Sequence, residues 1–449
     1  MTRRYGIFTG GIDIPDEKQA TLDEPIAPAW EAEVLRVPLA PCGGQAAEPV
    51  VEPGQDVQAG QRLAEAGPGG VDIFAPLAGT VRAVAPVTTA VGRQLLRMPA
   101  VELVDLSGPR EIPTGPETFD WSSAQPEELR RRLDESQLTT LRRRPQPLGR
   151  WVRRAAKAGC EVLVVNAMES QPYVTADHRL LVEYGEEVMR GLAILARAIG
   201  AKRCVLAVDR RRTGDYDHLL APAEHFEVEH VALPHKYPIG SDPILLKVLT
   251  RREVPCGGGP LDIGAAVIEP AGCLAAYFWV ARKVRLNGRV VTISGEHVTR
   301  PANLFVPFGV DARSLLHSAR PPYIMGGPMI GTLCEGDAVI GPATNVLLAI
   351  DPTPTGSPSQ CIRCGWCRDH CPTRLNVAVL NDLYELARVE SAELLGVLSC
   401  MECGVCSYVC PARLPLTRRM GELKHAIRRL RPGPAARDES LAHPHPETT

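Results

Sequence analysis

The stretches CIRCGWCRDHCP (361–372) and CMECGVCSYVCP (400–411) decide how this chain is read. Both have the spacing C-x2-C-x2-C-x3-C-P. Three closely spaced thiolates wrap one corner of an iron–sulfur cubane, and the fourth cysteine, ahead of the proline, reaches across to a neighbouring one. The spacing therefore predicts one [4Fe–4S] cluster on Cys361, Cys364, Cys367 and Cys410, and a second on Cys400, Cys403, Cys406 and Cys371. The fourth cysteine is expected on the helix that follows each loop. Gly365 and Gly404 fall inside the loops, where a side chain would crowd the sulfides and positive φ is often required. Pro372 and Pro411 stop each segment from continuing as a helix. The competing reading is a pair of structural zinc sites. Zinc ribbons usually join two separated CxxC knuckles, so four cysteines within eleven residues, occurring twice, are poor geometry for two tetrahedral ions.

Crossed ligation requires residues 372–399 to fold back, and LNVAVLNDLYELARVESAELLGVLSC has apolar residues at helical spacing. Two adjacent clusters carry single electrons and perform no bond chemistry themselves, so the pattern predicts a redox relay. Composition agrees with an ordered, multidomain protein. The chain has 449 residues, 45% hydrophobic and 23% charged, enough apolar content for packed cores. Lys+Arg is 50 and Asp+Glu 52, a formal charge of -2, so there is no overall basic field for nucleic acid. No run reaches the ~18 apolar residues of a spanning helix, and the start, MTRRYGIFTGGIDIP, has no apolar signal-peptide core. Any membrane role is expected to be peripheral. Without an export signal, the 14 cysteines are not expected to form a disulfide framework.

Upstream, EPVVEPGQDVQAGQRLAEAGPGGVDIFAPLAGTVRAVAP (48–85) alternates short β-type runs with Gly and Pro turns. It is similar to the barrel-sandwich hybrid of biotinyl and lipoyl carriers. No lysine occurs between Lys18 and Lys157, so there is no swinging arm and the segment is read as a scaffold or docking module. Before it stands GGIDIPDEKQATLDEPI (10–26). Gly-Gly-Ile, Pro15, Lys18 and Pro25-Ile26, followed by this segment, resemble the start of RnfC, the peripheral subunit of the Rnf ion-translocating NADH:ferredoxin oxidoreductase.

The resemblance continues through the middle of the chain. Residues 160–209 read as strand, loop, helix and strand, with strands at Val162–Val165 and 204–209 and a helix from about Arg179 to Ala198. The loop NAMESQPYVTADHRLL is similar to the family motif at Asn166, Glu169, Pro172, Tyr173, Thr175 and Asp177, while Ser170 and Gln171 depart from it. The resemblance makes Asn166, Glu169 and Tyr173 the remnant of a flavin site. In the family, and in the related flavin subunit of complex I, a Gly-rich loop before this strand cradles the FMN phosphate on backbone N–H groups. Here that place is SQLTTLRRRPQPLGRWVRRAAKAG (136–159), with Gly149 alone before Gly159 and with Arg142, Arg143 and Arg144 at its centre. Such a loop does not copy the cradle. The arginines are read as a solvated basic turn, and FMN is doubtful. Tyr237, Pro238, Gly240, Arg252–Pro255, Gly257 and Gly258 also match, and are read as a rigid turn that positions the next domain.

Residues 289–316 alternate as strands and enter a helix after Asp311; Gly295, Pro301, Asn303, Val306 and Gly309 resemble a soluble-ligand-binding β-grasp (SLBB) domain. PPYIMGGPMIG (321–331) resembles the family's Gly-Gly-Pro-Met-Met-Gly, and Thr344 and Asn345 fit a further family position. The remaining cysteines, Cys42, Cys160, Cys204, Cys256, Cys273 and Cys334, are expected as free buried thiols. After Cys410, Arg413, Arg418, Arg419, Lys424, Arg428, Arg429 and Arg431 make a basic helix, read first as a solvated face and second as a dock for an acidic partner or lipid head groups.

The expected fold is multidomain α/β and α+β: an RnfC-type barrel-sandwich hybrid over 1–115, a degenerate Rossmann-like flavin-subunit domain over 116–265, an SLBB-like β-grasp over 266–345, a helical dicluster ferredoxin-type domain over 346–432 and a disordered tail over 433–449. The resemblance implies an electron-transfer subunit of a membrane-associated Rnf-type complex, peripheral on the cytoplasmic face of the cell membrane, with the other subunits or a redox protein as partners. The alternative is a soluble flavin-dependent NADH reductase of the cobalamin-reductase type.

Overall fold

A computed structural model describes residues 8–29, 32–317, 322–351 and 358–430. Arg431 and the tail over 433–449 lie outside them. Among the described residues no helix is long and apolar enough to cross a membrane.

Among the described residues, 8–25 run as a strap without helix or strand. It is tied down by buried Lys18, whose Nζ donates to the Glu169 carbonyl at 2.6 Å. Short strands follow, as the Gly and Pro turns predict. Leu35–Pro38, Gln94–Ser107, Ala78–Val91 and Asp56–Val57 make one sheet, and Glu48–Pro49, Arg62–Glu65 and Ile73–Phe74 a second. Inward residues such as Leu35, Val37, Leu63, Val81, Val101 and Leu103 fill the space between them. The hairpin of the two longest strands turns at Gly92, whose φ of 67° suits glycine. Beside that turn, Arg93 Nη1 donates to the Glu402 carbonyl of the C-terminal domain at 2.6 Å.

The α/β domain has four parallel strands in the order Val228–Leu233, Arg203–Asp209, Val162–Ala167, Ala265–Ile268. Helices Ala176–Ile199 and Pro270–Arg282 cover one face, and helix Asp242–Thr250 covers the other. A strand buried on both faces needs no polar alternation, hence the run VLVV at 162–165. The two covering helices approach closely because Gly191 has no side chain; a Cβ there would overlap the Cys273 carbonyl.

The mixed β-grasp sheet is ordered Ile26–Pro28, Ala302–Pro307, Gly288–Ser294, Val346–Leu348, Tyr323–Met325, Thr332–Cys334. Its first strand comes from the N-terminal strap and pairs in parallel with Ala302–Pro307. The expected helix after Asp311 is Ala312–Leu316, and Asp311 caps it by accepting from Arg313 N at 2.8 Å. Last come five helices, Trp366–Asp369, Val377–Glu385, Val389–Leu394, Val405–Tyr408 and Leu416–Leu430, around Leu380, Val397, Leu414, Met420 and Leu423. Residues 372–399 thus fold back as helices.

One buried polar knot joins strap, α/β domain and β-grasp. Asn303 Oδ1 accepts from Thr175 Oγ1 (2.9 Å) and Thr292 Oγ1 (3.0 Å), and its Nδ2 donates to Thr21 O at 2.7 Å and Glu24 O at 3.2 Å. Replacing Asn303 by Leu strands these groups away from water. The expected cost is about 2–4 kcal/mol of unfolding free energy, read from urea denaturation; an unchanged midpoint shows the knot to be dispensable.

Candidate metal centre

Each cysteine motif is shaped by its glycine. Gly365 (φ 86°) and Gly404 (φ 89°) take the left-handed conformation that turns the loop into a one-turn helix. Cys367 and Cys406 sit within those helices and point inward. The fourth cysteines, Cys371 and Cys410, follow the short helices rather than lying on them, which corrects the sequence expectation. The helix has already stopped, so each fourth thiol is carried by an irregular turn.

Cys361, Cys364, Cys367 and Cys410 line a single pocket, with Ala378 and Leu416 among its walls. Cys410 therefore joins the first motif rather than its own. Burial first, and then Cys406, Cys361, Cys364 and Cys410, push the Cys367 thiol up to about 11. Burial also pushes Cys403 upward, reinforced by Cys400, Cys406 and Cys371. Cys406 is raised by burial, with Cys371 adding to it. Cys371 thus lies within electrostatic reach of Cys403 and Cys406. Glu402 N donates to Cys400 Sγ at 3.4 Å, and Thr417 Oγ1 lies 3.5 Å from Cys406 Sγ. The influence of Cys406 on Cys367 places the two sulfur sets side by side. Eight sulfurs in two sets among apolar walls suit iron–sulfur cores; free thiols packed this way resist losing their protons, and a cationic core relieves that by taking them as thiolates.

Three separate sequence motifs converge on the second set. Ile12 and Tyr237 exchange backbone hydrogen bonds, both at 2.9 Å. Gly11 N donates to the His370 carbonyl at 2.9 Å, and a Cβ on Gly10 would stand 2.7 Å from the Cys371 carbonyl. Tyr237 Oη donates to the Cys403 carbonyl at 2.5 Å. Gly404 lies so close to the Met329 carbonyl that any side chain would overlap it. Ile12, Ile14, Tyr237, Cys403 and Val405 form one apolar cluster with Met329 against it. Gln171, one of the departures from the family motif, accepts from Met329 N at 3.2 Å.

The basic helix is only partly a solvated face. Arg413, Arg418, Arg428 and Arg429 are exposed, but Lys424 is 7% exposed and donates to the Cys400 carbonyl (2.5 Å) and to Glu402 Oε1 (2.7 Å). Sequence reading missed this role, although Leu416, Met420, Leu423 and Ile427 already mark the buried stripe on which Lys424 falls. The arginine turn needs a larger correction: Arg142 is not solvated but paired with Asp242 (2.7 Å) and Glu269 (2.8 Å). Cys160, Cys273 and Cys334 are buried as expected and Cys42 and Cys204 partly so, whereas Cys256, on a Gly-rich loop, is exposed.

The flavin-site remnant runs from the end of strand Val162–Ala167, which carries Asn166, into the loop that follows it. Asn166 Nδ2 donates to Gly240 O at 2.8 Å, and Asn166 Oδ1 accepts from Met168 N. The Glu169 carboxylate accepts from Asp177 N (2.8 Å) and His178 N (2.9 Å), capping helix Ala176–Ile199, which begins three residues earlier than expected. Tyr173 (φ 69°) donates its N–H to Asp16 O at 2.8 Å, and its ring packs beside Val174, Val346 and Leu348. All three residues are engaged within the protein.

Comparison with known proteins places recognised domains in this order. The RnfC barrel-sandwich hybrid domain matches residues 7–104, the Nuo51 FMN-binding domain 146–276, and the 4Fe-4S dicluster domain 354–411. The C subunit of the ion-translocating oxidoreductase complex of Klebsiella pneumoniae (strain 342) is 31% identical over 379 residues, 82% of this chain and 50% of that protein. The chain thus spans about half the length of the curated relative it matches. Two crystal structures of NAD+-reducing [NiFe]-hydrogenase also match. The H2-reduced state gives 18% identity and a TM-score of 0.47 over 74% of this chain and 70% of that one, and the air-oxidized state 19% and 0.43 over 72% and 64%.

The placement of Cys410 makes a sharp prediction. Cys410→Ala lowers iron from about eight to about four per chain. Adding Cys364→Ala then costs nothing further, whereas adding Cys403→Ala removes the rest. If Cys410→Ala and Cys403→Ala instead behave as lesions of one cluster, ligation is not crossed.

Proposed function

Because the chain belongs to the RnfC family, we propose that it relays single electrons through two [4Fe–4S] clusters as a subunit of an Rnf-type oxidoreductase complex, peripheral on the cytoplasmic face of the cell membrane. The observation that carries this reading is the convergence of Cys410 with Cys361, Cys364 and Cys367 on one pocket, beside a second sulfur set. When bound, each cluster supplies one reversible one-electron couple. The rest is done by the protein: holding the sulfurs, excluding water and setting the local charge.

The two sets face different surroundings. At the first, Cys364 is exposed and Ile362 and Trp366 are 65% and 53% exposed. At the second, Cys403 is buried beneath the strap, Tyr237 and Met329, and Cys406 within the helical core. The first set is therefore the one that meets a partner subunit, and the exposed Arg413, Arg418, Arg428 and Arg429 supply a basic surface on the same domain. At the second set, buried Lys424 holds positive charge against the Cys400 loop, which favours the more negative, reduced form of a bound cluster.

Two measurements test this. Anaerobic reconstitution is expected to yield about eight irons per chain and two one-electron couples; zinc in place of iron, or clusters that no strong reductant changes, rules out the relay. In Lys424→Gln, an EPR-monitored titration is expected to show one couple moved to lower potential and the other unmoved. The sign follows because the variant removes a cation and leaves Glu402 uncompensated. A potential that stays put or rises rules out the electrostatic role of Lys424.

A further inference from the structure

The loop that in relatives would cradle a flavin phosphate is closed on itself. Thr139 bridges to Pro147, Thr140 N donates to Gln146 O at 2.9 Å, and Gln146 N donates to Thr140 Oγ1 at 3.2 Å. The loop is held from outside as well: Gly92 N donates to Arg143 O at 2.8 Å, and Arg289 Nη1 donates to Leu141 O at 3.0 Å. Gly149, the one glycine that the sequence offers, serves another contact; a Cβ there would overlap Asp134 of the neighbouring helix.

From this closed turn Arg142 points inward. Its Nη1 donates to Val267 O at 2.7 Å, its Nη2 to both Asp242 oxygens at 2.7 Å, and its Nε to Glu269 Oε1 at 2.9 Å. Val267 and Glu269 mark the carboxyl end of strand Ala265–Ile268, and Asp242 opens the helix Asp242–Thr250. The guanidinium therefore fills the crevice outside the carboxyl ends of parallel strands, where open α/β sheets take their ligands. Burial opposes its charge, but Asp242 and Glu269 outweigh burial and hold Arg142 above its ordinary value.

The electrostatics of the crevice are wrong for a phosphate. Glu169, Asp177, Asp242 and Glu269 meet three cations: Arg142, buried Arg289 and, beside Glu169, buried Lys18. Burial and then Glu169 raise Asp177 well above the carboxylate range, and its Oδ1 has no partner among the described residues. A phosphate monoester would bring about two more negative charges against Asp242 and Glu269, the carboxylates that already engage the Arg142 guanidinium.

We propose that Arg142, clamped between Asp242 and Glu269, is a built-in plug that makes the flavin-type domain of this chain a flavin-free mount. NADH gives up a hydride, two electrons with one proton, whereas each cluster accepts one electron; without a flavin nothing in the chain takes the hydride. The chain must then receive electrons singly from another redox protein, which sets aside the soluble flavin-dependent reductase.

The test uses the full chain purified and reconstituted without oxygen. Flavin released on denaturation is expected below about a tenth of an equivalent, added FMN is expected to show no saturable fluorescence quenching, and NADH with FMN is expected to leave the clusters oxidised while dithionite reduces them. Stoichiometric flavin, saturable quenching, or bleaching of the clusters by NADH overturns the plug. Iron content and the dithionite response test the relay separately, so either idea can fail alone. Arg142→Ala is expected to lower the thermal midpoint, and Arg142→Ala/Asp242→Asn/Glu269→Gln to recover part of the loss by removing the stranded charges. An Arg142→Ala midpoint equal to the parent's also overturns the plug. If that variant does not fold, the flavin measurements on the parent chain still decide.

Discussion

The constraint on which the proposed relay turns is crossed ligation, in which neither cysteine motif completes a cluster alone. The pocket of Cys361, Cys364 and Cys367 is closed by Cys410, and Cys371 lies within electrostatic reach of Cys403 and Cys406. A chain that ligates two cubanes in this way must bring residues 361–371 against 400–410 before either is complete. The linker helices Val377–Glu385 and Val389–Leu394 do this by packing on helix Leu416–Leu430 through Leu380, Ala392 and Met420. The exchange also places the two sulfur sets next to each other, and neighbouring centres are what a one-electron relay needs.

The rest of the chain wraps one side of that pair. The strap, the turn at Tyr237 and the loop carrying Met329 are far apart in sequence, yet all close on Cys371, Cys403 or Gly404. Close approach explains why small residues stand there, since Gly10 and Gly404 would each drive a Cβ into a backbone carbonyl. Cations gather at the same side: buried Lys424 on the Cys400 carbonyl and half-buried Arg93 on the Glu402 carbonyl. Beside Arg93 and Arg144, burial lowers Arg143 to about 10. Positive charge in a low-dielectric setting acts over longer distances than at the surface, so the two sulfur sets differ in environment although their motifs match.

How much of this was legible in the sequence follows from the range of the interactions. The cysteine spacing, the positive φ at Gly365 and Gly404 and the uninterrupted VLVV strand are local, and each could be read from a few adjacent residues. The meaning of Gly10-Gly11-Ile12, Tyr237 and Gly326–Gly331 is non-local, because their partners lie far away in sequence; Tyr237 read as part of a rigid turn and the other two as family resemblance, and all three pack around one site. Arg142 shows the same limit more sharply. Three consecutive arginines look solvated until Asp242 and Glu269, a hundred residues downstream, are seen to enclose the first of them. Lys424 was hidden differently: its position on the apolar stripe was visible, but its charge directed the reading toward solvent.

These points bear on why a flavin-type domain persists beside the clusters. Its Tyr237 holds the Cys403 loop, its Gln171 holds the Met329 loop, and Asn166 holds the Gly240 turn next to Tyr237. The domain is thus part of the wall around the second sulfur set, whatever its crevice contains. The turn at 139–147 makes none of those printed hydrogen bonds; its own are directed at the β-hairpin tip and the crevice. Glycines can be lost from that turn, and an arginine folded inward, without disturbing the supports of Cys403 and Gly404. Residues that frame the clusters and residues that would frame a flavin are separable within one domain, so the first set can retain its form while the second is replaced by an ion-pair network that the chain supplies for itself.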